Sequence, residues 1–224
     1  MAQAVGLDPQ ERPSLAEVAY RVVRDRLLTL AIRPGDPIND DALAKELGFG
    51  RTPVREALKR LELDRLVVTY PRRGTFAMPV EVTDLAYISE IRSQLEPLAA
   101  ARAARLASPA ARRRLLSLIE KVRAFDVGSA SVGETLACDA EMHRAIYAAA
   151  GNPHLEDALV RYDNLATRIW CLVMDRLPGL GGHLHEHIAL LQAVVDGDEE
   201  RAAELSRQHV EGFEVAVRGA LFAA

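Results

Sequence analysis

The chain is predicted to be mainly α-helical, with an N-terminal winged helix-turn-helix over residues 1–78 and an all-α bundle over residues 83–224. Three observations lead there. Residues 43–77 read as a short helix, a glycine turn, a second helix opening with arginines, and a hairpin with a basic tip. Residues 79–83 form a short linker. Beyond them apolar residues recur at helical spacing, with Ser, Thr, Asn and Asp at cap positions and glycines at the breaks.

The first helix is expected from about Ser14 to Leu30. Ser14 suits the N-cap, Glu17 would complete a capping box, and Leu15, Val18, Val22, Leu27 and Leu30 carry the helical period. Pro34-Gly35-Asp36-Pro37 stops it. A second helix, about Asp40 to Leu47, ends at Gly48. The third opens at Arg51-Thr52-Pro53, with Thr52 as cap, Pro53 in the first turn, and Val54, Ala57, Leu58 and Leu61 as buried stripe. Leu66–Tyr70 and Thr75–Met78 alternate as two strands around Pro71-Arg72-Arg73-Gly74, a two-stranded wing. In the second domain six helices are expected, over about 84–107, 109–126, 133–150, 153–173, 182–196 and 198–221. Thr83, Ser108, Asn152 and Asp198 are their caps. Gly128, Gly151, Gly179, Gly181-Gly182 and Gly197 mark the breaks, and Pro97 would kink the first of the six.

Composition is compatible with this. The chain has 224 residues, 49% hydrophobic and 27% charged, enough to bury a core in one large or two small domains. No run of about 18 apolar residues exists, so no membrane span is expected. Met1 to Pro13 is polar and lacks an apolar signal core, and Cys138 and Cys171 form no spaced cluster. Both features point to a cytoplasmic protein with reduced thiols. The net charge of −4 hides an asymmetry: residues 1–80 carry 13 Lys and Arg against 11 Asp and Glu, the remainder 15 against 21. A locally basic face can therefore coexist with an acidic second domain, and total charge does not exclude DNA.

On the third helix, the inward stripe leaves Arg51, Thr52, Arg55, Glu56 and Lys59 on the outer side. Side chains at the N-terminus of such a helix reach base edges when it lies in the major groove. Arg51 and Arg55 are the candidates for bases, since a guanidinium can pair bidentately with guanine O6 and N7. Thr52 and Lys59 are candidates for phosphates. Arg72, Arg73 and Gly74 at the wing tip could enter a minor groove or grip the backbone. Any one arginine alone reads better as part of a solvated helix face; the ordered set favours DNA.

These residues carry a resemblance. Residues 14–78, most specifically Arg-Thr-Pro-Val-Arg-Glu-Ala-Leu at 51–58, resemble the winged helix-turn-helix of GntR-type transcription regulators. The helical remainder resembles the FCD effector domain of the FadR subfamily, and six helices would match its VanR branch. Some members of that family contact DNA through an arginine on the second helix. The stretch here is Asn39-Asp40-Asp41-Ala42, and that contact is not carried over.

Within the second domain, Leu136, Asp139, His143, Ile146 and Ala150 share one helix face. Leu184, His187, Ile188, Leu191 and Val195 share another, and Ala202, Leu205, His209, Phe213 and Ala216 a third. One aspartate and three histidines thus point inward, which is costly unless they are partnered. A single core histidine with a hydrogen-bond partner is the commoner case, but four such groups together favour a divalent metal held by Asp139, His143, His187 and His209. Zinc suits the donor set, with nickel or manganese as alternatives. The FCD resemblance implies the same set, an Asp-x-x-x-His pair followed by two separate histidines. The glycine-rich turn is expected to expose His183 and His185, and His154 to lie at a helix start. Arg92 lies on the stripe Leu85, Ile88, Leu95, Ala99 and needs an anion. Glu96, four residues on, is one answer and a small carboxylate effector is the other. Asn164 and Arg168 are weaker effector candidates, while Tyr162 and Trp170 read as packing.

The expected function is a DNA-binding transcription regulator, a repressor by family habit, acting as a homodimer on a near-palindromic operator. A small carboxylate bound beside the metal would control it. Two alternatives use the same residues differently: a metal-dependent hydrolytic enzyme, for which no nucleophile or general-base motif is found, and a regulator whose metal is structural or is itself the signal.

Overall fold

The computed structural model describes residues 13–126, 128–174 and 180–222. The chain divides into two compact units, Met1–Pro79 and Val80–Ala224. Residues 1–12 and Gly179, read above as an N-terminal arm and a helix break, lie outside the described residues.

The first unit is built on α1 (Leu15–Leu28), α2 (Asp40–Leu47) and α3 (Arg51–Leu63), with strands β1 (Pro37–Ile38), β2 (Val67–Tyr70) and β3 (Gly74–Ala77). Ser14 Oγ accepts from the backbone N–H of Glu17 at 3.1 Å. The Glu17 carboxylate is instead paired with Arg21 and Arg60, at 2.7 Å each. The buried side of α1 is Ala19, Tyr20, Val23, Leu27 and Leu28, whereas Leu15 is 53% exposed. The inward stripe is thus rotated from the expected one, because α1 meets α3 through small Ala19 and through Tyr20. Tyr20 donates its hydroxyl to Asp64 at 2.7 Å and carries the Arg60 guanidinium 4.1 Å above its ring.

Asn39 caps α2 by accepting from Ala42 N–H at 2.9 Å, and Gly48 ends it at φ +68°, a left-handed conformation that only glycine adopts cheaply. Gly50, not Thr52, is the N-cap of α3, so Pro53 falls on the third helical residue, where its missing N–H still costs no intrahelical bond. The wing has three strands rather than two, in the order β1-β3-β2, all antiparallel, with Pro37 opposite Phe76 and Tyr70 opposite Gly74. The two-residue β1, Pro37–Ile38, begins on the last residue of the Pro34-Gly35-Asp36-Pro37 run, which reads in sequence only as a helix stop.

The second unit contains, among the described residues, α4 (Asp84–Leu106), α5 (Pro109–Arg123), α6 (Val132–Ala149), α7 (Pro153–Val173), α8 (Leu180–Asp196) and α9 (Glu199–Phe222). Ser108, Asn152 and Asp198 accept hydrogen bonds from the first-turn backbone of their helices. Thr83 makes no such bond. Ser131 and Glu134 form a reciprocal capping box at the start of α6. Gly181 and Gly182 belong to α8 rather than breaking it, and α4 continues through Pro97. Ala99, Ala100, Ala103 and Ala104 of α4 are fully buried, and with α5 (Leu115, Leu118, Ile119), α6 (Met142, Ile146, Tyr147), α7 (Leu159) and α8 (Leu191, Val194) they form one apolar core.

Arg112 ties two helix ends together. Its guanidinium donates to the carbonyls of Ala104 at 2.7 Å, Ala107 at 3.3 Å, Val194 at 2.9 Å, and also Val195. These carbonyls lie at the C-terminal ends of α4 and α8, where Val194 also accepts from Gly197 N–H at 3.3 Å, and a cation at two helix C-termini suits both dipoles. Arg112→Ala is expected to destabilise the chain by about 1.5–3 kcal/mol, read as a lowered Tm, and Arg112→Lys to restore only part because an ammonium cannot reach four carbonyls as a planar fork does. An unchanged Tm in both variants would mean that water replaces the guanidinium.

Candidate nucleic-acid interface and candidate metal centre

In the first unit, Val54, Ala57, Leu58 and Leu61 bury one side of α3. Arg51, Thr52, Arg55 and Lys59 are exposed on the other, and Arg72, Arg73 and Gly74 are exposed at the wing tip. The tip is a tight turn in which Arg73 N–H donates to Tyr70 carbonyl at 3.1 Å, with Arg72 at φ +62° and Gly74 at φ +94°. A left-handed conformation is uncommon for a residue with a Cβ, so the turn holds the Arg72 side chain outward at some backbone cost. The acids on α2 are not idle: Arg55 Nε lies 2.6 Å from Asp40 and Arg51 Nε 2.7 Å from Asp41. Both arginine side chains remain exposed (Arg51 64%, Arg55 60%), so water screens each pair and it can be given up for a stronger acceptor.

In the second unit, α6, α8 and α9 bring Asp139, His143, His187 and His209 together, all buried. One nitrogen from each of His143, His187 and His209 lies within 4.8 Å of the others. The Nε2 atoms of His143 and His187 are 3.1 Å apart, and the Asp139 carboxylate stands 3.8 Å from each. Two nitrogens bound to one ion at about 2.1 Å stand roughly 3.0–3.4 Å apart.

The hydrogen bonds behind the rings fix which lone pairs face inward. The Tyr147 hydroxyl lies 3.0 Å from Nδ1 of His143 and the Glu96 carboxylate 3.7 Å from the same nitrogen, so an Nδ1–H there would donate to Tyr147 with Glu96 close by. Nδ1 of His209 stands 3.3 Å from the Glu186 carboxylate, which leaves Nε2 of His209 buried without a hydrogen-bond partner. Asp139 Oδ1 and His187 Nδ1 are also buried without one. An N–H···N bond between His143 and His187 would satisfy one contact and still strand these atoms. A cation would use the inward nitrogens of His143, His187 and His209 and the Asp139 carboxylate together, with the rings of His143 and His209 held by outer contacts at Nδ1 as metal-bound imidazoles are, while Nδ1 of His187 keeps no side-chain partner. Burial, then neighbouring histidines, hold His187 and His209 well below the ordinary imidazole value, which keeps both neutral and able to ligate. Glu186 is drawn down to about 2, chiefly by hydrogen bonds from His183 and His209.

Beside this cluster is a small cavity, lined by Arg92, Asp139, His143, Asp163, Ala166, Thr167, Trp170, His183 and Phe213. Arg92 donates Nε–H to Glu96 at 2.5 Å, and its Nη2 is 3.9 Å from Asp163. Burial opposes the Arg92 charge, but Glu96, Tyr147 and Asp163 outweigh it and hold the guanidinium above its ordinary value. The intrahelical pair with Glu96 is therefore present, and Arg92 faces the cavity at the same time. Asn164 and Arg168 are buried on α7 but are not among the lining residues. The α7 positions that line it are 163, 166, 167 and 170, one residue off the expected face, which at about 100° per residue is a different side of the helix.

Two lining or contacting residues, His183 and Asp163, were not singled out from sequence as part of the site. His183 was expected to be exposed in a glycine-rich turn. It lies inside α8, 17% exposed, stacked on His209 with ring centroids 4.3 Å apart and 4.0 Å from Asp139. Its spacing from His187 is that of Asp139 from His143, a signal present in the sequence. Asp163 and Glu96 are buried acids, and Trp170 meets His183 edge to face in addition to packing on Phe213. His185 is exposed, and His154 sits at the start of α7.

Two families account for most of the chain: residues 15–77 match the bacterial regulatory proteins of the gntR family, and residues 87–212 match the FCD domain. The chain belongs to the GntR regulators that carry an FCD domain. It is 31% identical over 185 residues to the Nta operon transcriptional regulator of Aminobacter aminovorans, covering 80% of this chain and 83% of that protein. It is 25% identical over 198 residues to the transcriptional repressor GlaR of Escherichia coli, covering 85% and 90%. In fold it is similar to E. coli McbR/YncC, with a TM-score of 0.79 at 22% identity over 92% of this chain and 98% of that one. These relatives are regulators, and this GntR-family chain is a DNA-binding transcription regulator rather than an enzyme. No helix among its described residues is long and apolar enough to cross a membrane.

Arg55→Ala is expected to lower affinity for a selected operator by about tenfold or more, the loss of one bidentate base contact, with a much smaller loss on random duplex. Equal losses in a fluorescence anisotropy titration would assign Arg55 to the phosphate backbone.

Proposed function

We propose that this regulator is a homodimeric repressor of the cytoplasm whose operator affinity is set by a small carboxylate bound beside a divalent metal ion. The observation that carries the reading is the cluster of Asp139, His143, His187 and His209, with its stranded buried atoms, opening on a cavity that also contains Arg92. The donor set of imidazoles and one carboxylate suits zinc, with nickel or manganese as alternatives. When bound, the ion would offer a Lewis-acidic position to a carboxylate oxygen, while Arg92 supplies a charge-assisted hydrogen bond.

The winged unit would present Arg51 and Arg55 to bases, Thr52 and Lys59 to phosphates, and Arg72, Arg73 and Gly74 to the backbone or minor groove. Two copies would read two half-sites of a near-palindromic operator. The ligand acts only to the extent that it binds the DNA-competent and DNA-incompetent arrangements unequally. Asn164 and Arg168 are buried on α7 outside the cavity wall and would not touch a ligand there.

His187→Ala is expected to lower the metal content of the purified protein in elemental analysis; a full complement would remove His187 from the ligand set. The reading as a whole is tested with an operator fragment selected from a random duplex pool, by titrating carboxylic acids against metal-loaded and chelator-stripped protein. Acids are expected to shift operator affinity only for the loaded protein. If metal alone shifts it and no acid does, the protein senses the metal instead.

A further inference from the structure

His183 stands beside the four proposed metal donors with its ring turned toward them. It is the fourth residue of α8 and precedes His187 by four, so one helical turn puts both side chains on the same face. Asp139 and His143 are related in the same way on α6. The Nε2 atom of His183 is 4.0 Å from Asp139 Oδ1. That oxygen is also 3.8 Å from Nε2 of His187 and is buried without a hydrogen-bond partner. Two donors held by one ion at about 2.1 Å each stand no more than about 4.2 Å apart, so both contacts are within reach of a single ion.

The outer edge of the ring repeats the arrangement of His209. His183 Nδ1 lies 3.6 Å from Glu186 Oε2, and His209 Nδ1 lies 3.3 Å from the same oxygen. The two rings are stacked, with centroids 4.3 Å apart and planes 21° apart. Nearly parallel rings that present Nδ1 to one oxygen carry Nε2 on a common side. For His209 that side holds a buried nitrogen without a hydrogen-bond partner, and for His183 it faces Asp139. An ion pair with Glu186 accounts for the Nδ1 edge alone. It leaves Nε2 aimed at a carboxylate oxygen that is too far for a hydrogen bond and well placed to share a cation. The ring is also packed in place: Trp170 meets it edge to face at 5.1 Å, and Phe213 lies 5.8 Å away. It lines the same small cavity as Asp139 and His143.

We infer that His183 is a fifth protein donor to the metal ion, binding through Nε2 alongside Asp139, His143, His187 and His209. This rests on the metal reading above and deepens it. Zinc sites usually close at four donors, so a fifth selects an ion that accepts five or six. On an octahedral ion, five protein donors leave one position, enough for a single carboxylate oxygen.

The test uses full-length protein with isotope-labelled histidine nitrogen, stripped with a chelator and loaded with cadmium as an NMR-active probe ion. One-bond coupling between cadmium and nitrogen marks each ligating atom, and nitrogen shifts tell Nε2 from Nδ1. Four coupled imidazoles, His183 among them through Nε2, are expected in the wild-type protein. Three are expected in His183→Phe, which keeps a ring stacked on His209 and removes the donor. Cadmium affinity, read by chelator competition, is expected to fall in His183→Phe, but losing a group that merely orients a ligand also costs about 10–100-fold, so the coupling decides. The wild-type spectrum is decisive even where His183→Phe fails to fold. Coupling to His143, His187 and His209 without His183 overturns the inference and leaves the metal reading standing, and so does a count that His183→Phe leaves unchanged. Coupling through His183 Nδ1 with a second cadmium resonance also overturns it, because a separate ion would then sit on His183 and Glu186. If the wild-type protein takes up no cadmium, the inference fails together with the reading it rests on.

Discussion

The second unit depends on one constraint: polar side chains that water would otherwise solvate are held inside an apolar bundle, and each must find a partner there. Asp139, His143, His187 and His209 come from three helices that share a core of Met142, Ile146, Leu184 and Leu191. Packing those helices at their apolar contacts forces the four polar groups into one another's company. The outer hydrogen bonds then decide what the cluster can do. Tyr147 and Glu186 stand at the Nδ1 atoms of His143 and His209 and can accept a proton from each, which leaves the opposite nitrogens inward as acceptors. A buried collection of acceptors without a donor is unstable in itself and suited to a cation, which is why the bundle and the candidate site cannot be considered separately.

The same economy links cluster and cavity. Glu96 touches both sides, accepting from Arg92 and standing behind His143 through Tyr147. Asp139 belongs to the metal donors and to the cavity wall. Anything that alters charge in the cavity is therefore felt by the groups that orient the imidazoles, within a few ångströms and with little water to screen it.

Much of this was legible in the sequence. The starts of α5, α7 and α9 follow the caps: Ser108, Asn152 and Asp198 each accept from the first turn of the helix they begin. The three stripe histidines were legible because each sat among apolar residues at helical spacing. The misses have physical causes. A strand as short as β1 has no period to read. Glu17 sits correctly for a capping box, but two arginines outbid a backbone N–H for its carboxylate. On α7 apolar residues lie on several sides, so sequence could not say which face meets the cavity, and Asn164 and Arg168 were chosen where Asp163 and Thr167 form the wall. His183 was lost to the assumption that Gly181 and Gly182 end a helix; here they lie within its first turn, where a missing side chain costs less.

The acids at the start of α2 carry a consequence for how the winged unit meets a duplex. Arg51 and Arg55 arrive already holding carboxylate counterions of their own. Each arginine that enters a groove must first shed an aspartate, or carry it along against the phosphates, so contacts with arbitrary DNA gain little from charge alone. A reading head of this kind displaces fewer condensed ions from the nucleic acid per bond formed and responds less steeply to ionic strength than its arginine count suggests. With Arg51 and Arg55 as the proposed base contacts, it would give up affinity for the bulk of the genome and keep it where the bases themselves offer a better acceptor than Asp40 and Asp41 do.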